Sequence, residues 1–119
     1  MEKDFATFVA TLLHSATNTH FFHFSTDSFS KHMALGTYYD EIVDLVDSLT
    51  EQYMGCYGQI KEFPDVYHKP KDPVKYIESL QAFVKDARKD LPQDSELQNT
   101  IDTIAELLDS TAYKLKFLK

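Results

Sequence analysis

The sequence predicts an all-α domain, an antiparallel four-helix bundle in which one long connection joins the second and third helices. Three observations carry this. Apolar residues recur at three- and four-residue spacing through four separate segments of the 119-residue chain. Turn formers and prolines fill the breaks between those segments. Two of the three breaks are short, which forces antiparallel neighbours, while the middle one runs to about 18 residues and permits a crossover along the bundle. With 3 Gly, 4 Pro and no Trp, the chain lacks the turn chemistry of a many-stranded sandwich or barrel. Its length makes residues 1–119 one domain with a single modest core.

The first helix is read from Phe5, Phe8, Val9, Leu12, Leu13 and Ala16, continuing through Phe21, Phe22 and Phe24. It stops at Ser25-Thr26-Asp27-Ser28, a run of turn formers and N-caps. The second starts near Ser28 and runs to about Met54, with Leu35, Ile42, Leu45, Val46, Leu49 and Tyr53 on one face, and Gly55 and Gly58 end it. Between Cys56 and Pro73 the prolines rule out a continuous helix, though Gln59 to Phe63 can form one short turn. The third helix begins with Asp72 as N-cap and Pro73 at the first helical position, and its stripe is Val74, Ile77, Leu80, Phe83, Val84 and Ala87. Pro92-Gln93-Asp94 breaks the chain again. The fourth helix, capped by Asp94 or Ser95, buries Leu97, Ile101, Ile104, Leu107, Leu108, Ala112, Leu115 and Leu118.

Composition narrows the function. Twelve Lys plus Arg against 19 Asp plus Glu leave a net charge of −7, which argues against a nucleic-acid or anionic-membrane surface. A lone cysteine, Cys56, excludes an intrachain disulfide. No apolar run approaches the roughly 20 residues of a membrane span, and Met1-Glu2-Lys3-Asp4 does not read as a signal peptide. The expectation is a cytoplasmic protein. Without a Gly-rich phosphate loop, a GxSxG elbow or a CxxC pair, nucleotide hydrolysis, acyl transfer and zinc-finger readings find no support.

Chemistry concentrates in histidines and carboxylates. His14, His20, His23 and His32 precede residue 33, and Asp40, Asp44, Asp47 and Glu51 form one stripe of the second helix, opposite its apolar face. On spacing alone that stripe is a solvated outer face. The joint spacing says more: His32 follows His20 by twelve residues, Asp47 follows after fifteen, and Glu51 after four. His20 and His32 flank a short turn and can approach each other. Asp47 and Glu51 sit one helical turn apart. His32 and Asp47, however, lie roughly 22 Å apart along one helix at 1.5 Å per residue. If all four bind one ion, a two-fold mate must supply the carboxylates.

From about Leu12 to Gly55 the chain resembles the first two helices of Dps-type mini-ferritins of the ferritin-like superfamily. The matching residues are Thr19-His20-Phe21, the ungapped turn to Phe29, His32 followed by Tyr39-Asp40-Glu41, then Asp47, Glu51 and Gly55. The resemblance implies a ferritin-like bundle that binds iron, with His20 and His32 as metal ligands from one subunit and Asp47 and Glu51 from its two-fold mate. It implies a homo-oligomer, at least a dimer, and ferroxidase activity with dioxygen or peroxide as oxidant. The donor set also suits Mn(II) or Zn(II) in place of Fe(II). Two departures are Phe21 in place of the usual tryptophan and the missing Lys-rich N-terminal extension. Short relatives of this kind are similar to open reading frames of tailed bacteriophages, which would make the location the host cytoplasm. The alternative is a non-enzymatic protein on the same bundle that binds a host protein or sequesters a small ligand.

The remaining residues are expected in plainer roles. His23 is read as a capping or surface group, with auxiliary ligation as the second choice, and His14 as a hydrogen-bonded interhelical histidine. His68 reads as surface, Cys56 as half-buried and not nucleophilic, and Tyr38 and Tyr39 as packing residues. Lys114, Lys116 and Lys119 suit the negative end of the last helix.

Overall fold

The computed structural model describes residues 1–119. It contains α1 (Glu2–Ser25), α2 (Phe29–Tyr57), α3 (Pro73–Ala87) and α4 (Ser95–Phe117), with a 3-10 turn over Arg88–Asp90 after α3. The longest dimension is 44 Å, about the length of the 29-residue α2 at 1.5 Å per residue. No helix is long and apolar enough to cross a membrane.

Local chemistry sets the boundaries. Ser28 caps α2, its hydroxyl accepting from the Lys31 N–H, and the Asp72 carboxylate accepts from the Val74 and Lys75 N–H groups ahead of Pro73. Gly58, at φ 100°, closes α2, in the left-handed region that glycine enters without steric cost. Gly55 does not end the helix as expected. A single interior glycine costs only about 1 kcal/mol, and the following turn is anchored by the Tyr57 hydroxyl, which donates to Asp94 at the start of α4 at 2.5 Å. Asp94 is the N-cap residue of α4 but makes no capping bond; its carboxylate is turned to Tyr57.

Cross-helix contacts fix the connectivity. Phe5 stacks on Tyr53 at 4.0 Å and Ser15 bonds Tyr38 at 2.8 Å, so α1 and α2 are antiparallel. Thr100 donates to Gln52 and Ser30 to the Leu118 carbonyl, so α2 and α4 are antiparallel. The ion pairs Arg88–Asp102 and Lys116–Glu78 set α3 against α4. Consequently α2 runs parallel to α3, and residues 58–72 cross the full length of the bundle, the arrangement that the long middle link permits. The expected short turn at Gln59–Phe63 does not form. Ile60 pins the crossover to the core, and farther along the Asn18 side chain donates to the His68 carbonyl at 3.1 Å.

The core runs continuously through all four helices, with Phe5, Phe8, Leu12, Leu35, Ile42, Leu49, Ile77, Leu97, Ile101 and Ile104 fully buried. Each such side chain contributes about 1.5–3 kcal/mol of burial. Leu118 departs from expectation and is exposed, because α4 stops at Phe117. Phe21 and Phe24, which continue the apolar pattern of α1, also lie on the surface. His14 is not hydrogen-bonded: its Nδ1 has no partner, and its ring meets Tyr67 of the crossover edge-on at 5.3 Å.

Candidate functional site

The last turns of α1 and the first turns of α2 carry a cluster of histidine and aromatic rings. His23 and His32 stack at 3.6 Å between centroids, with planes 19° apart. Their Nδ1 atoms reach across the hairpin: His23 Nδ1 lies 2.7 Å from the His32 carbonyl oxygen, and His32 Nδ1 lies 2.8 Å from that of His23. A carbonyl only accepts, so both Nδ1 atoms donate, and each neutral ring keeps its lone pair on Nε2, the atom free to bind a metal. Gly36 makes the approach possible, since a Cβ there would lie 3.2 Å from His23 Cε1 and 3.3 Å from its Nδ1. His20 is sandwiched between Tyr39 at 4.0 Å and Phe24 at 4.7 Å, and meets His23 edge-on at 6.0 Å. His20 and His32 therefore belong to one ring cluster, joined through His23.

The two expected carboxylate ligands lie elsewhere. Asp47 and Glu51 are exposed on the outer face of α2, as are Asp40 and Asp44. Neither is part of an ion pair; the three present are Arg88–Asp102, Lys89–Asp86 and Lys116–Glu78. Within one chain the histidine pair and the carboxylate pair stay separate, in keeping with the helical distance.

Three ligating side chains do converge at the opposite end of the bundle. Donor atoms of Cys56, Asp94 and Glu96 lie within 4.8 Å of one another, making this a candidate metal-coordinating cluster at the junction of α2 and α4. Cys56 is exposed, not half-buried as expected. Local desolvation first, and then the charges of Glu96 and Asp94, push its thiol up, so it is a poor nucleophile. Tyr57 is pushed up to about 12, chiefly because its hydroxyl is bound to Asp94.

Sequence reasoning undervalued His23 and passed over Gly36. Two signals were available. His20 and His23 at i, i+3 share a helix face. A glycine inside a long helix, where it costs about 1 kcal/mol, points to a close approach.

Comparison with known proteins finds a phage-encoded relative of unassigned role. It is 32% identical over 98 residues to an uncharacterized 14.6 kDa protein in the mobD-ri intergenic region of Enterobacteria phage T4, covering 81% of this chain and 75% of the relative. No solved structure matches. Residues 23–115, which span most of the bundle, match a family of unknown function, DUF5856, and the chain belongs to that family.

Proposed function

We propose that the protein is a ferritin-like, Dps-like iron-binding protein whose metal site is shared across a two-fold dimer. His20 and His32 bind from one chain, and Asp47 and Glu51 from its mate. The observation that carries this reading is the His23–His32 pair, whose reciprocal carbonyl bonds leave Nε2 of His32 free for a cation. The donor set fits the ion, since imidazole nitrogen with carboxylate oxygen suits Fe(II), and also Mn(II) or Zn(II). The crossover between α2 and α3 supports a ferritin-like bundle.

The outer face of α1 and α2 supports the dimer. Phe29, Met33 and Val43 are exposed there at 76, 53 and 36%, alongside the unpaired carboxylates of α2. A two-fold axis across this face would cover those side chains and bring Asp47 and Glu51 toward the mate's histidines. In that assembly Fe(II) is the substrate. Dioxygen or peroxide accepts its electrons, and the protein's part is to bind and orient the ion with Tyr39 and Phe24 walling His20.

The test is anaerobic Fe(II) titration followed by oxygen, with ferric absorbance read for the wild type, His32→Ala and Asp47→Ala. One or two irons per chain, oxidised on oxygen addition and lost in both variants, supports the reading. Retained binding in both variants overturns it. Loss in Cys56→Ala alone would move the metal to the Cys56–Asp94–Glu96 cluster. A second reading, a protein that sequesters a small ligand, is favoured by a separate cavity lined with lysines.

A further inference from the structure

A cavity of about 520 Å³ opens where the end of α1, the first turn of α2 and the end of the crossover meet. Eleven residues line it, among them Lys31, Lys69 and Lys71, and none is acidic. In a chain with 19 acidic against 12 basic residues, that is a local reversal of potential. None of the three ammonium groups is in an ion pair. Phe21, Phe22 and Phe24 supply apolar walls, and Lys69 Nζ stands 5.8 Å over the Phe21 ring.

The floor adds an independent observation. Asn18 is 2% exposed and lines this cavity, and its Oδ1 is buried with no hydrogen-bond partner. Both partners of its Nδ2, the His68 carbonyl and the Tyr76 hydroxyl, belong to residues that line a smaller neighbouring cavity. Asn18 itself lines both cavities. A buried acceptor without a partner is an unmet hydrogen bond.

From this combination we infer that the cavity binds an aromatic phosphomonoester of nucleoside-monophosphate size. Lysines hold phosphate as point charges, and a dianion with three acceptor oxygens suits three of them better than a carboxylate does. The exposed Phe24 ring offers a stacking face. The volume lies within the range of about 300–1,000 Å³ usual for small-molecule sites. Phe24, which also walls His20, is shared with the metal reading, whereas the three lysines and Asn18 take no part in it, so the lysine variant tests the two proposals separately.

The experiment is calorimetric titration of chelator-treated protein with adenosine 5′-monophosphate, guanosine 5′-monophosphate, adenosine and inorganic phosphate. Saturable binding of at least one nucleotide, one per chain and at least tenfold tighter than adenosine or phosphate alone, is the expected result. Lys69→Glu with Lys71→Glu should weaken it at least tenfold, and Phe24→Ala severalfold, while Fe(II) loading of the lysine variant stays at the wild-type level. Phosphate binding as tightly as the nucleotides, affinity unchanged in the lysine variant, or no saturable binding would each overturn the proposal. In the last case a lowered melting temperature of the lysine variant would assign the lysines to the negative end of α1 instead.

Discussion

His23 and His32 each bind the other's backbone carbonyl, at 2.7 and 2.8 Å, while their rings stack at 3.6 Å. The bond to the His23 carbonyl satisfies an acceptor in the last turn of α1, where no helical N–H is available. One pair of side chains thus closes the α1–α2 hairpin and fixes both ring orientations.

That pair depends on Gly36. In Gly36→Ala the new methyl would sit 3.2–3.3 Å from a His23 ring that is already stacked on His32. The helix-propensity gain of about 1 kcal/mol should be cancelled by the displaced ring, leaving stability within about 1 kcal/mol of the wild type. The imidazole nitrogen resonances of His23 and His32 should shift. Unchanged resonances would show that Gly36 is not what admits the ring.

The other two glycines should respond with opposite signs. Nothing lies within 4 Å of a Cβ at Gly55, which is helical, whereas Gly58 sits at φ 100°. Gly55→Ala should stabilise by about 0.5–1 kcal/mol, raising Tm by about 2–6 °C. Gly58→Ala should destabilise by about 1 kcal/mol or more, because alanine is strained there. Thermal unfolding of the two variants side by side checks both.

Removing the two ends of a buried hydrogen bond should cost unequal amounts. Ser15 and Tyr38 are both fully buried and bond at 2.8 Å, and the Ser15 hydroxyl also donates to the Leu12 carbonyl. Tyr38→Phe leaves Ser15 with its helix partner and should cost about 1 kcal/mol. Ser15→Ala strands the Tyr38 hydroxyl in the core and should cost about 1–3 kcal/mol. Equal losses by urea denaturation would contradict this asymmetry.

How far the sequence could be read follows from the kind of physics involved. Helix identity was legible because periodicity and Pro73 are local signals, whereas the link lengths permitted the crossover without deciding it. The burial of Leu35, Ile42, Val46, Leu49 and Tyr53 followed from spacing alone. Gly55 misled because tertiary anchoring through Tyr57 and Asp94 outweighs one residue's propensity. At the candidate site, the approach of His20 and His32 was legible as two positions flanking a short turn. The role of His23 was not, since its partner is a backbone carbonyl nine residues away that no side-chain pattern encodes. The lysine-lined cavity was equally invisible, because Lys31 and Lys69 are brought together only by the crossover.

Tyr57 gives a pH signature. Its folded value is pushed from 10.0 up to about 12, chiefly by the bond to Asp94, so the folded chain holds that proton longer than the unfolded one. The resulting stabilisation is complete below pH 10 and is lost as pH rises toward 12. Tyr57→Phe lacks this contribution, so the stability gap between it and the wild type should close across that window. A gap that stays constant from pH 9 to pH 12 would show that the Tyr57–Asp94 bond does not persist in solution.

Sharing of the metal site between chains can be separated from binding within one chain by mixing two inactive variants. His32→Ala keeps its carboxylates and Asp47→Ala keeps its histidines. In a mixed two-fold dimer one site combines both defects, and the other takes His20 and His32 from one chain with Asp47 and Glu51 from its mate. With random pairing half of the dimers are mixed and half of their sites intact, so about one quarter of wild-type Fe(II) binding should return when the variants are unfolded and refolded together. Each variant refolded alone should show none. No recovery in dimers shown to be mixed would mean that the histidines and carboxylates do not meet across a two-fold axis. The helical distance of roughly 22 Å between His32 and Asp47 would then exclude a single-ion site built from all four residues.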